Sequence, residues 1–202
     1  MKLTYAHPLP PWGCDCHVHV FGPFDRFPLS ADRAYTPGPA SIEDLTSLLH
    51  RLGLRRVVIV QASPQGTDNA CLVDALHRLN ARHDIQARGV AVIDGSTPSS
   101  ELQALHAAGV RGVRVNLESA GLHDPEVARR AMRDAADRVA PWGWHVQTYT
   151  TLQVISSIAP ALAELPVPVV IDHFGRSTAS KGADQPGFDS LLKLVSTGRA
   201  WV

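Results

Sequence analysis

Residues 87–116 read ARGVAVIDGSTPSSELQALHAAGVRGVRVN. ARGVAVID (87–94) has the apolar, β-branched look of a buried strand. SSELQALHAAG (99–109) carries helical spacing and a glycine stop at Gly109. VRGVRVN (110–116) is strand-like again. Strand, helix and strand in close succession make a β-α-β unit, whose two strands run parallel with a right-handed crossover.

The alternation continues in both directions. Before this unit come the strand WGCDCHVHVF (12–21), the helix SIEDLTSLLHRLG (41–53), the strand RRVVIVQAS (55–63) and the helix NACLVDALHRLNARH (69–83). After it come DPEVARRAMRDAADRVAPWG (124–143), a helix with Pro125 in its first turn, and the strand WHVQTYT (144–150). The helix LQVISSIAPALAEL (152–165), the strand VPVVIDHFG (167–175), the helix GFDSLLKLVSTG (187–198) and the strand start RAWV (199–202) complete the chain. Val/Ile-rich strands suit a parallel sheet covered on both faces. A doubly wound open sheet and a barrel both produce this pattern, but no Gly-x-Gly-x-x-Gly follows the first strand, which argues against a dinucleotide-binding sheet. The expected fold class is α/β, a (β/α)8 TIM barrel, in a single domain over 1–202 preceded by a leader at 1–11. A full barrel takes about 250 residues. The expectation is therefore of a barrel cut short after strand 7 begins.

Composition narrows the function classes. Acidic and basic residues balance at 19 each and no basic cluster stands out, which disfavours a nucleic-acid surface. No run approaches the ~20 apolar residues of a membrane span. Three cysteines, Cys14, Cys16 and Cys71, form no Cys-x-x-Cys pair. Reduced thiols and a cytoplasmic location are expected, with Cys14 and Cys16 as small buried strand residues.

Barrels build their sites at the C-terminal ends of strands. Polar residues of this chain collect there: Asp15, His17 and His19 on strand 1, Gln61 and Ser63 on strand 2, and Asp94 less clearly on strand 3. Arg114 and Asn116 end strand 4, Gln147 and Tyr149 strand 5, and Asp172 and His173 strand 6. Strand alternation places Asp15, His17 and His19 on one face. His145 falls at the opposite end of its strand. The Pro- and Gly-rich stretch 22–40 follows strand 1, where an active-site loop belongs. Simpler roles stand beside these. Arg114 also suits a barrel-lining ion pair, Tyr149 ordinary core, Asp172 a structural anchor, and Gln61 and Asn69 loop capping. Asp68 and Arg176 suit loop anchoring.

His-x-His ending the first strand, with another His ending the sixth, resembles the amidohydrolase superfamily. CDCHVHVFGP (14–23), RAYTP (33–37), GVRGVRVN (109–116), GWHVQTY (143–149) and VIDHFGR (170–176) resemble, in order, the branch of 2-pyrone-4,6-dicarboxylate lactonase and related sugar-lactone and muconolactone hydrolases. The resemblance implies hydrolysis of a carboxylated lactone with no cofactor required. It implies that His17, His19 and His173 surround the lactone carbonyl as catalytic residues, and that Arg114, Tyr149 and Tyr35 bind substrate. The water-activating Asp of strand 8 would fall beyond Val202. Strand 5 offers Gln147 and Tyr149 instead of a metal-bridging lysine, which argues against two metals. One divalent metal, zinc, on His17 and His19 is the alternative, in a single-zinc amidohydrolase or decarboxylase. Where that branch has a second arginine after strand 4, this chain reads VNLESAG (115–121), with Glu118. A non-catalytic, acid-binding paralogue is the reading from a different class.

Overall fold

The computed structural model describes residues 9–10 and 12–202. The leader expected at 1–11 therefore lies almost wholly outside the described residues. The residues group into two compact units, one ending at Val110 and one running from Arg111 to Val202.

In the first unit, β1 (Cys14–Val18), β2 (Arg56–Val60) and β3 (Gln86–Ala91) alternate with α1 (Ile42–Leu52), α2 (Ala70–Asn80) and α3 (Ser99–Ala108). The strands are parallel and neighbour one another in chain order, with Val57 opposite Ala87 and Ile59 opposite Gly89. Val57, Ile59, Val60, Ala87 and Val90 are buried with Leu49, Leu72 and Leu76 from the helices. Helix α1 is fixed at both ends. The Ser41 hydroxyl accepts from the Asp44 N–H while the Asp44 carboxylate accepts from the Ser41 N–H, a reciprocal cap. Gly53, at φ 70°, then supplies the left-handed stop.

The second unit repeats the pattern with β4 (Val110–Asn116), whose first residue belongs to the first unit, α4 (Pro125–Val139), β5 (His145–Tyr149), α5 (Leu152–Ala163), β6 (Val169–Ile171), α6 (Phe188–Ser196) and β7 (Ala200–Trp201). Gly112 pairs with His145, Arg114 with Gln147, and Asn116 with Tyr149. Val169 sits between Val146 and Ala200. Asp124 caps α4 by accepting from the N–H groups of Glu126 and Val127, ahead of Pro125. Helix α5 runs through Pro160 as one element.

The structure departs from the sequence pattern in three places. Strand 6 is only Val169–Ile171, because from His173 to Arg176 the backbone turns left-handed, with φ of 50°, 54°, 61° and 56°. The register of β1 on β2 slips between Asp15 and Val18, so three steps on β1 match two on β2. Such a bulge breaks simple alternation, and His19 lies just past the strand. The orientation of the two histidines is therefore not set by pleating alone. Finally, Cys16 is exposed and Cys14 only half-buried, since β1 pairs with β2 alone among the described strands.

Candidate active site

In the second unit the strand ends assemble around Asp172, the first residue after β6. Arg114, 7% exposed on β4, donates from Nε and Nη2 to Asp172 Oδ2, each at 2.9 Å. Gln147 on β5 donates from Nε2 to Oδ1 at 2.5 Å. Strand register makes this possible, because Arg114 and Gln147 are direct partners. Both carboxylate oxygens are thus held, and the guanidinium keeps Nη1 as the one nitrogen not given to Asp172. Desolvating two charges is costly unless geometry and further hydrogen bonds compensate, and here both are present.

Tyr149 stands above this pair. The Arg114 guanidinium lies 5.5 Å from its ring centre and that of Arg176 lies 5.7 Å away, within cation–π range. The His173 ring meets it edge-on at 5.4 Å. His173 and Arg176 reach Tyr149 from the left-handed turn. That conformation costs a non-glycine residue about 1–2 kcal/mol, and His173, Phe174 and Arg176 all adopt it. Backbone strain of this kind gathers at functional sites. Arg176 also pairs with Glu118, whose own N–H donates to the Tyr149 carbonyl at 3.0 Å.

His145 occupies the other end of β5, as expected. Its ring packs on Gly112, where an added Cβ would meet ring atoms at 2.4 Å. Burial holds its pKa below the ordinary imidazole value.

In the first unit, the rings of His17 and His19 lie 5.0 Å apart, edge to face. His19 Nδ1 is 2.7 Å from the Val60 carbonyl. Only a protonated Nδ1 makes that contact favourable, so in the neutral ring Nε2 carries the lone pair. Tyr35 is 51% exposed on the stretch 22–40. This stretch is tied down where Phe21 and Ala40 exchange backbone hydrogen bonds and where the Ser30 N–H reaches the Pro64 carbonyl. Gln61 and Asn69 are loop braces. Gln61 donates to the Asp68 carbonyl at 2.7 Å, and Asn69 exchanges hydrogen bonds with the backbone of Val92. Asp68 caps the start of α2 through the Ala70 N–H. Burial and the adjacent Cys16 push the Cys14 thiol up to about 12, far from the thiolate form that reactive cysteines need.

Sequence reasoning undervalued two residues. Arg176 reads as a loop anchor just past the strand VPVVIDHFG (167–175), with no signal for its place over the Tyr149 ring. Glu118 carries no motif, and its pairing emerges only in three dimensions.

Comparison with known proteins follows the same lines. The chain is 39% identical over 197 residues to a 2-pyrone-4,6-dicarboxylate hydrolase of Comamonas testosteroni, covering 95% of this chain and 63% of that protein. It is 33% identical over 199 residues to a 4-sulfomuconolactone hydrolase of Hydrogenophaga intermedia, covering 96% and 62%. The chain thus spans a little under two thirds of the length of these relatives. A crystal structure from Acinetobacter baumannii, assigned as a 2-pyrone-4,6-dicarboxylic acid hydrolase and holding citric acid, superposes with a TM-score of 0.78. It is 29% identical, with 93% of this chain and 68% of that one covered. The fold class is accordingly α/β of the TIM-barrel type. The family described as amidohydrolase matches residues 14–202, and the chain belongs to that family.

Proposed function

We propose that the protein hydrolyses a carboxylated cyclic ester by attack of water on the ring carbonyl. The observation that carries this reading is the Arg114–Tyr149–His173 group at the ends of β4, β5 and β6. It offers an anion-binding guanidinium, an aromatic face and an imidazole within one unit. The relatives named for 2-pyrone-4,6-dicarboxylate and 4-sulfomuconolactone hydrolysis support the reaction class, and citric acid in the Acinetobacter structure supports carboxylate binding.

The roles follow from charge flow. Attack on a lactone carbonyl places negative charge on its oxygen, and preorganised donors lower that barrier. His173 is assigned as such a donor, beside the Tyr149 ring within the second unit. Arg114, aimed by its two bonds to Asp172, binds the substrate carboxylate through Nη1. Tyr149 binds the remainder of the substrate. No cofactor is required in this scheme.

The hydrogen bond of His19 to Val60 favours a second reading. A ring with Nδ1–H on a backbone carbonyl is the usual posture of a metal-ligating histidine. His17 and His19 would hold one zinc ion, which when bound supplies Lewis-acid polarisation. Chelation followed by zinc add-back separates the readings. The first predicts that ring opening of a pyrone carboxylate or sugar-acid lactone, followed by absorbance or NMR, changes less than twofold on chelation. A loss that zinc restores selects the second. Absence of turnover on every carboxylated lactone tested, before and after zinc addition, removes both.

A further inference from the structure

Glu118 lies two residues beyond the end of β4, its backbone fixed by the hydrogen bond to the Tyr149 carbonyl. Its side chain is unevenly satisfied. Oε1 pairs with Arg176, but Oε2 is buried and meets no hydrogen-bond donor among the described residues. His123 Nδ1 is 3.8 Å from it, beyond hydrogen-bonding distance. A carboxylate can only accept, and leaving a buried acceptor unmet is unfavourable. Arg176 could have covered both oxygens with its fork, yet it holds one. The structure therefore keeps a carboxylate oxygen without a hydrogen-bond donor on a residue whose backbone is bonded to Tyr149, at the strand end where this fold type builds its sites.

We propose that Glu118 is a specificity-determining residue that accepts a hydrogen bond from a substrate hydroxyl. This rests on the lactone-hydrolase reading and narrows it. The fitting substrate carries a free hydroxyl as well as a carboxylate, as a sugar-acid lactone does. A flat diacid, presenting a second carboxylate there, meets Glu118 as a like charge. A site built to bond a hydroxyl rejects the analogue that lacks it, because its own polar group is then left unpaired. Arg176 acts as a positioning residue, holding Glu118 by one oxygen so that the other faces the ligand.

Calorimetric binding of three acids to the whole chain tests this without requiring turnover. The probes are gluconate (a carboxylate with hydroxyls), hexanoate (the same chain length without them) and adipate (a second carboxylate instead). The unmodified protein should bind gluconate about tenfold more tightly than hexanoate. Glu118→Leu should abolish that preference by weakening gluconate alone. Glu118→Gln, which retains an amide oxygen and a similar shape, should keep most of the preference and bind adipate several-fold more tightly, since the like charge is gone. No preference for gluconate in the unmodified protein, or a preference untouched by Glu118→Leu, overturns the assignment. So does equal weakening of gluconate and hexanoate. Should Glu118→Leu not fold, unchanged adipate binding in Glu118→Gln overturns it equally. Lactone opening is measured separately. A preserved binding preference with no turnover of any lactone would sink the hydrolase reading alone.

Discussion

Arg114 gives two nitrogens, Nε and Nη2, to a single oxygen of Asp172, each at 2.9 Å. The other Asp172 oxygen belongs to Gln147. The pair is the buried anchor of the second unit's site, and it aims the guanidinium that would meet a substrate carboxylate.

Breaking this pair from one side leaves a buried charge without its partner. Asp172→Ala should cost about 3–5 kcal/mol of stability, read from urea denaturation. The double variant Arg114→Met, Asp172→Leu should be clearly more stable than Asp172→Ala, because no uncompensated charge remains. A single variant within about 1 kcal/mol of the parent would mean that the pair is solvated in solution.

The contact of His145 with Gly112 makes two related predictions. Gly112→Ala forces a methyl group into the ring and should destabilise by about 1–3 kcal/mol. Removing the ring in His145→Ala should recover part of that loss, as a double-mutant cycle would show. The second prediction concerns pH. Burial lowers the folded-state pKa of His145 beneath the ordinary 6.5. Below 6.5 the unfolded chain binds a proton that the folded chain resists, so stability is fully present above that value and falls as pH drops toward and through the folded pKa. His145→Gln should flatten the slope of unfolding free energy against pH on the acid side of 6.5. An identical slope in the variant would show that His145 titrates normally.

Phe174 is 65% exposed and sits at φ 54°. Its side chain buries little, while its backbone bears left-handed strain. Phe174→Gly should therefore raise stability by about 1 kcal/mol, measured as a shift in thermal midpoint. A loss of stability would mean that the ring contributes packing that outweighs the strain.

The β-α alternation was legible from spacing and punctuation. Gly53 and Gly109 end the helices they were expected to end, and VRGVRVN is β4 to the residue. These features are local, so the sequence displays them. The site was legible in part. Arg114, Gln147, Tyr149, Asp172 and His173 were all placed at strand ends, and the ion-pair reading of Arg114 and the anchoring reading of Asp172 both describe real contacts. What stayed hidden was geometry set by tertiary context. DHFG follows a Val/Ile run and reads as more strand, yet the chain leaves the sheet at Asp172. The β1 bulge depends on register against β2, which no single strand encodes. The Glu118–Arg176 pair joins residues far apart in sequence and has no spacing signature.

The most direct measurement is ring opening of a carboxylated lactone by the purified protein and by His173→Asn, followed by NMR of the open-chain acid. The account predicts measurable hydrolysis by the unmodified protein and a fall of at least about 100-fold in kcat for the variant, in the range lost with one oxyanion donor, with its fold intact by circular dichroism. Hydrolysis at an unchanged rate in His173→Asn would contradict the role given to that imidazole and the account built on it.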